Sequence, residues 1–167
     1  TISKIAMGID DTPVTTCATV AIGAGRPVLL APAMHKPMYE HPIVLENLEK
    51  LKARGVKVIL PLESEDKAKL ASIEGIILEV EKALSKGKFS GKKILVASGA
   101  IQEQIDDLRV ITNNSSGVLG TELALELLRQ GAKVKFIGNR LAEKYKGLIN
   151  YEEADLATEL EAKVLKE

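Results

Sequence analysis

Aromatic residues make up only 3% of these 167 residues, with two phenylalanines, three tyrosines and no tryptophan. Proteins that grip single-stranded nucleic acid stack bases on several aromatic rings, so that class is excluded first. An excess of charge is missing too. The 23 Lys and Arg balance 23 Asp and Glu, and a formal net charge of zero gives no electrostatic case for a nucleic-acid or membrane partner. The single cysteine, Cys17, has no partner for an internal disulfide and fits a reducing, cytoplasmic setting. No apolar run reaches the roughly 20 residues of a membrane-spanning helix, and Thr1-Ile2-Ser3-Lys4 lacks the layout of a secretion signal. In that setting the glycosylation sequons headed by Asn113 and Asn114 are accidental.

What is present is 46% hydrophobic residues, ample for one ordinary domain or two half-domains. Residues 1–25 read as helical, with Asp11-Thr12-Pro13 as a cap and first-turn proline. Pro27–Ala31 reads as a short buried strand, and the two prolines of Pro32–Tyr39 argue for an irregular loop. A helix from Pro42 carries Val44, Leu45, Leu48 and Leu51, with Gly55 as its stop, and Val56–Leu60 is the next strand. Ser72 caps a helix on which Ile73, Ile76, Ile77, Val80 and Leu84 form one stripe. Ser85–Lys92, rich in Gly and Lys, reads as a linker between a domain segment at 1–84 and another at 93–167. In the second segment, Lys93–Gly99 is a strand entering a glycine turn, and a long loop leads to a helix ending near Gln130. Val134–Gly138 is a strand, Leu148–Tyr151 another, and Leu156, Leu160 and Val164 mark a last helix. Alternating strands and helices imply an α/β fold of parallel sheets with helices on both faces.

Asn113-Asn114-Ser115-Ser116-Gly117-Val118-Leu119-Gly120 opens directly into the helix that ends near Gln130. Backbone N–H groups at a helix start lack internal partners and carry partial positive charge, so this stretch suits a phosphate. By spacing alone it reads equally as a merely capped helix, because the glycines do not follow the strand at once and no P-loop lysine is present. Arg109 with Asp106 and Asp107 reads either as a charge-assisted clamp or metal site, or as surface ion pairing. Met34 and Met38 offer soft contacts to a flat apolar ligand, with His35 able to exchange protons, unless the methionines simply fill the core. Cys17 reads as a structural, inert thiol. His35 and His41 lack companions at ligand spacing, so no resident metal site is expected.

Two stretches resemble a known family. Lys4-Ile5-Ala6, Gly8-Ile9-Asp10-Asp11, Thr15-Thr16 and then Ala31-Pro32-Ala33-Met34-His35-Lys36-Pro37-Met38-Tyr39 resemble the second half of flavin-dependent cysteine decarboxylases, whose signature there is Pro-x-Met-Asn-x-x-Met-Trp. Gly99–Glu103, Ile105-Asp106, Arg109 and Ile111-Thr112-Asn113-Asn114-Ser115-Ser116-Gly117-x-x-Gly120 resemble the start of phosphopantothenate-cysteine ligases. Together they are similar to the bifunctional phosphopantothenoylcysteine decarboxylase and phosphopantothenate-cysteine ligase of coenzyme A biosynthesis.

That resemblance implies flavodoxin-like and Rossmann-like segments of two domains. It implies a ligase that activates phosphopantothenate with CTP and Mg²⁺ and couples it to cysteine, and a decarboxylase that uses FMN. Asn113 matches the asparagine that handles the acyl-nucleotide, Gly99, Arg109, Ser115, Ser116, Gly117 and Gly120 the nucleotide site, and Met34, His35 and Met38 the decarboxylase substrate and flavin loop. The family forms homo-oligomers.

His35 and Tyr39 depart from the signature's Asn and Trp. The flap matching Glu65–Ala71 has no cysteine, Ala100-Ile101 replaces the usual small-residue-plus-threonine pair, and Val118-Leu119 replaces Lys-Met. The chain begins where the family's Pro-x-Ala-Asn-Thr motif ends and stops before its base-reading region. It is thus expected to be a segment of a longer enzyme or one with complementing segments. A non-catalytic nucleotide- or flavin-binding module, or an NAD-dependent reductase, are the alternatives.

Overall fold

Gly8 breaks the first expected helix in two. In the computed structural model, which describes residues 1–63 and 66–167, helix α1 (Ile2–Met7) ends where Gly8 takes a left-handed φ of 72°. Helix α2 (Pro13–Gly23) starts afresh from a capping box, Thr15 N–H donating to Thr12 Oγ1 and Thr12 N–H to Thr15 Oγ1. The chain continues through β1 (Leu29–Leu30), β2 (Met34–His35), α3 (Lys36–Tyr39), α4 (Pro42–Ala53) and β3 (Lys57–Val58). Then come β4 (Leu62–Glu63), β5 (Lys67–Lys69) and α5 (Ile73–Leu84). It divides into two compact units, Thr1–Ile76 and Ile77–Glu167.

In the first unit β1 and β3 pair in parallel, and Ile5, Ala6, Leu51 and Val56 form the core. Arg54 donates to the Ala6 carbonyl at 2.8 Å, tying the end of α4 to the end of α1. Pro32–Tyr39 is not the irregular loop expected. Met34 and His35 pair antiparallel with Ala68 and Lys67 in a three-stranded sheet ordered β2-β5-β4, and Pro37 sits in the first turn of α3, where its missing N–H costs nothing. Cross-strand partners more than thirty residues away, not local propensity, decide this. Cys17, read as a structural, inert thiol, is exposed.

Helix α5 forms where the sequence reading expects it. Ser72 does cap it, accepting from Gly75 N–H at 3.1 Å, but Ile73, Ile77, Val80 and Leu84 lie exposed while Gly75 and Leu78 are buried. Leu45 on α4 is exposed as well. Apolar spacing marks a helix as amphipathic without naming what it packs against.

The second unit is built on β6 (Lys93–Ser98), α6 (Val118–Arg129), β9 (Lys133–Gly138), β10 (Asn150–Glu153) and α7 (Ala157–Val164). Its sheet runs β10-β9-β6, all parallel, with Ser98 level with Gly138 at the carboxyl ends. Side chains alternate across a strand. Val134 and Phe136 therefore share one face, packing with Val96, Ala124, Leu125 and Leu128 of β6 and α6. Lys135 between them points to the other face, paired with Glu152 at 2.9 Å and with Glu167 just past α7. Helices thus cover both faces, as an α/β fold requires. The loop expected from Gly99 to Gly117 contains an unforeseen hairpin, β7 (Gln102–Gln104) with β8 (Val110–Thr112). Ser85–Lys92 is held to the end of α6, Phe89 N–H donating to Gln130 O at 3.0 Å. Among the described residues no helix is long and apolar enough to cross a membrane.

Phe136 is fully buried, so Phe136→Ala is expected to cost about 3–5 kcal/mol. Tyr145 and Tyr151 pack against the same core and report on it. Urea unfolding followed by tyrosine fluorescence is expected to show a lowered midpoint.

Candidate functional site

Three glycines bring the start of α6 down onto the carboxyl ends of β6 and β9. Gly117, the N-cap, has φ 74°, and a β-carbon there would overlap the Arg140 carbonyl. A β-carbon on Gly120 would overlap the Ser98 side chain, and one on Gly138 the Ser98 carbonyl. These glycines are there for close helix–strand approach. Gly99 belongs to the same set for a different reason: Asn139 Oδ1 occupies the place of its missing side chain.

The loop before α6 supplies its own oxygens. Ser115 N–H donates to Asn113 Oδ1 at 3.2 Å, Gly117 N–H to Ser115 Oγ at 3.3 Å, and Val118 N–H to Ser116 Oγ at 3.5 Å. These are short side-chain turns; the amides of Gly117, the N-cap, and Val118 are ones a helix start leaves unpaired, and Ser115 lies just before them. Asn113 and Ser116 are exposed and Ser115 half-buried. Thr112 Oγ1 donates to Ile101 O at 3.1 Å, so the hairpin returns the chain from Gly99 to Asn113 with both near the carboxyl end of β6. Open α/β sheets bind ligands at such an end.

Arg109 sits at the hairpin tip instead. Its Nε donates to Asp106 Oδ2 at 2.6 Å, and the other oxygen of Asp106 accepts from Leu108 N–H at 3.0 Å and Arg109 N–H at 2.8 Å. The Arg109 guanidinium, then these amides, hold the Asp106 carboxyl below the usual carboxylate range. Among the described residues no three His, Cys, Asp or Glu side chains gather as a metal site.

Sequence reasoning missed Asn139. Its Oδ1 accepts from Ala100 N–H at 3.1 Å and its Nδ2 donates to Ala100 O at 2.9 Å, a two-point clamp on the turn that carries Gly99. Ala100 is 1% exposed, so the clamp pairs a backbone N–H and C=O that are screened from solvent. The signal available was its position, directly after a strand ending in glycine.

In the first unit, Met34 and Met38 line one cleft of about 440 Å³ with Leu30, Ala31, Pro32 and Val44. His35, the next residue along β2, lines a different groove with Lys36, Glu40 and Asp66. Strand alternation separates the expected methionine–histidine set into two surfaces. The flap expected over Glu65–Ala71 begins at a residue outside those described. Its Lys67–Lys69 part is β5, paired directly to Met34 and His35.

Two expectations follow. Removing the clamp with Asn139→Ala leaves a buried N–H and C=O of Ala100 unpaired, and hydrogen exchange at the Ala100 amide is expected to quicken at least tenfold, about 1.4 kcal/mol or more. For Asp106 the folded value is depressed, so its contribution is present above the unfolded carboxylate range and lost as pH falls through the folded value. In an NMR titration the Leu108 and Arg109 amides should therefore shift at a pH below the ordinary carboxylate range, and Asp106→Asn should abolish that step.

Comparison with known proteins adds to this geometry. Residues 1–85 match the flavoprotein family, and residues 89–167 match the DNA/pantothenate metabolism flavoprotein C-terminal domain. The coenzyme A biosynthesis bifunctional protein CoaBC of Thermococcus kodakarensis is 54% identical over 137 residues, covering 82% of this chain and 34% of that protein. The CoaBC proteins of Methanocaldococcus jannaschii and Bacillus subtilis are 38% and 32% identical, over 81% and 98% of this chain and 34% and 42% of their own lengths. The chain thus spans less than half the length of these relatives. With residues 1–85 matching the flavoprotein family and residues 89–167 matching this C-terminal domain, the chain belongs to the flavoprotein family and is similar to the CoaBC proteins across both segments.

Proposed function

We propose that the second unit supplies the phosphate-binding side of a ligase site that activates phosphopantothenate with CTP for attack by cysteine. The observation that carries this reading is the Asn113–Val118 loop, where the side-chain oxygens of Asn113, Ser115 and Ser116 stand on backbone N–H groups at and just before a helix start. Phosphate oxygens would take the places of those side-chain oxygens. Asn113, released from Ser115 N–H, would then offer its amide to the acyl-nucleotide. A carboxylate becomes a good electrophile only once it carries a leaving group, and neutral donors fixed beside the developing charge favour that step. Gly99 and Gly120 shape the site through the close approaches they allow, while Ser115, Ser116 and Gly117 would contact phosphate. Arg109 would reach the triphosphate only by exchanging Asp106 for it. Mg²⁺ would arrive on the triphosphate, since it usually takes few protein carboxylates.

The first unit would contribute the back of a decarboxylase site. Met34 and Met38 fit the flat apolar ring of FMN, which when bound supplies an electron sink for oxidation of the cysteinyl thiol. His35, on the neighbouring groove, would meet the polar part of the substrate. Completion of either site would call on further segments of the same enzyme or on a second copy, in a cytoplasmic setting.

CTP with Mg²⁺ is expected to shift the Ser115, Gly117 and Val118 amide resonances, and Gly117→Ala, which forces the loop off Arg140, to weaken binding at least tenfold. Titration of CTP that leaves all three amides unmoved would sink the ligase reading.

A further inference from the structure

The corner between α3 and α4 is closed by one residue. Helix α4 opens on Pro42, which has no N–H to satisfy, and the next three amides of its first turn all end on His41. Val44 and Leu45 N–H donate to the His41 carbonyl at 2.8 and 3.1 Å, and Ile43 N–H donates to the imidazole Nδ1 at 3.2 Å. Among the described residues, the other side chains that cap helix starts are the hydroxyls of Thr12 on α2, Ser72 on α5 and Ser116 on α6, and the carboxylate of Glu159 on α7. None of these changes charge near neutral pH, where an imidazole does.

We propose that His41 is a pH-operated hinge that sets one wall of the methionine cleft. A ring nitrogen that accepts a hydrogen bond must be unprotonated, so a proton taken from solvent onto Nδ1 releases Ile43 N–H. The imidazolium then lies against the partial positive charge of a helix start, and α4 has no acidic residue in its first turn to offset it. His41 is exposed, so the proton can reach it. Of the elements packed on α4, α3 brings Lys36 and Glu40, which pair at 3.8 Å, α1 brings Lys4, held by Asp11, and β3 brings Lys57. Glu40 directly precedes His41 but is engaged by Lys36, and the first carboxylate along α4 itself is Glu46, past the first turn. His41 stands midway between Met38 and Val44, and both line the cleft of about 440 Å³. Loosening the corner between them lets the two move apart and widens that wall. The cap is present above the titration range of the imidazole and lost as pH falls through it. This hinge belongs to the corner and stands whether or not the cleft takes a flavin.

The test follows amide hydrogen exchange and the methionine methyl resonances of the full chain by NMR between about pH 5 and 8. Each exchange rate is referred to the intrinsic rate at the same pH, so that protection alone is compared. Protection of Ile43 is expected to fall about fivefold toward the acid end, the size of one lost helix cap, with the Met38 methyl moving in the same step. His41→Asn, which caps as well and takes no proton in this range, should hold Ile43 protected throughout, while His41→Ala should leave it weakly protected at both ends. Ile43 protection that does not change with pH, a fall that persists in His41→Asn, or a Met38 methyl that stays in place while Ile43 is released would overturn the proposal.

Discussion

Helix α6 can rest on the end of β6 only because position 120 has no side chain. Ser98 fills that space, and its carbonyl lies in turn against Gly138 at the end of β9. One residue thus sets the distance between the helix and both strands. From this follow the depth at which Gly117 meets Arg140, the level of the loop amides and the reach of Asn139 to Ala100. Phe136, packed beneath the same contact, makes it stiff, since dense interiors resist small displacements. Charge plays little part in this construction.

The first unit is organised by a different device. Its core joins α1, α4 and a two-stranded parallel pair, and the candidate loop is held at the margin by an antiparallel sheet of very short strands. Two-residue strands have few ladder bonds of their own, so β2 depends on β5 for its position. Whatever moves β5 moves Met34 and His35 with it.

How much of this was legible follows from the length of each signal. Helices α4 and α6 and strands β6 and β9 were readable because their apolar periods run over several turns or residues and end in Gly55, Gly131 and Gly138. The β7–β8 hairpin was hidden because its residues are largely exposed and carry no burial alternation. The stripe on α5 was recognised, but the burial of Gly75 and the exposure of Ile73, Ile77, Val80 and Leu84 were not legible, because apolar spacing names no packing partner. The Asn113–Gly120 loop was visible as a motif, since local turns of Asn and Ser are written in adjacent residues. Asn139 was not, for its significance depends on a partner 39 residues away.

In the structure three amides of the loop before α6 rest on side-chain oxygens, and on the proposed reading this changes what an incoming anion would have to do. It meets an exchange of ligands, not an empty socket. A carboxylate, with two oxygens, can displace at most two of the three internal acceptors and leaves the loop partly in its resting form. A terminal phosphoryl group brings three oxygens on one tetrahedral centre and can replace all of them together. Discrimination between a nucleotide's phosphates and the carboxylate of the acid they activate would then come from denticity, with no cationic side chain required.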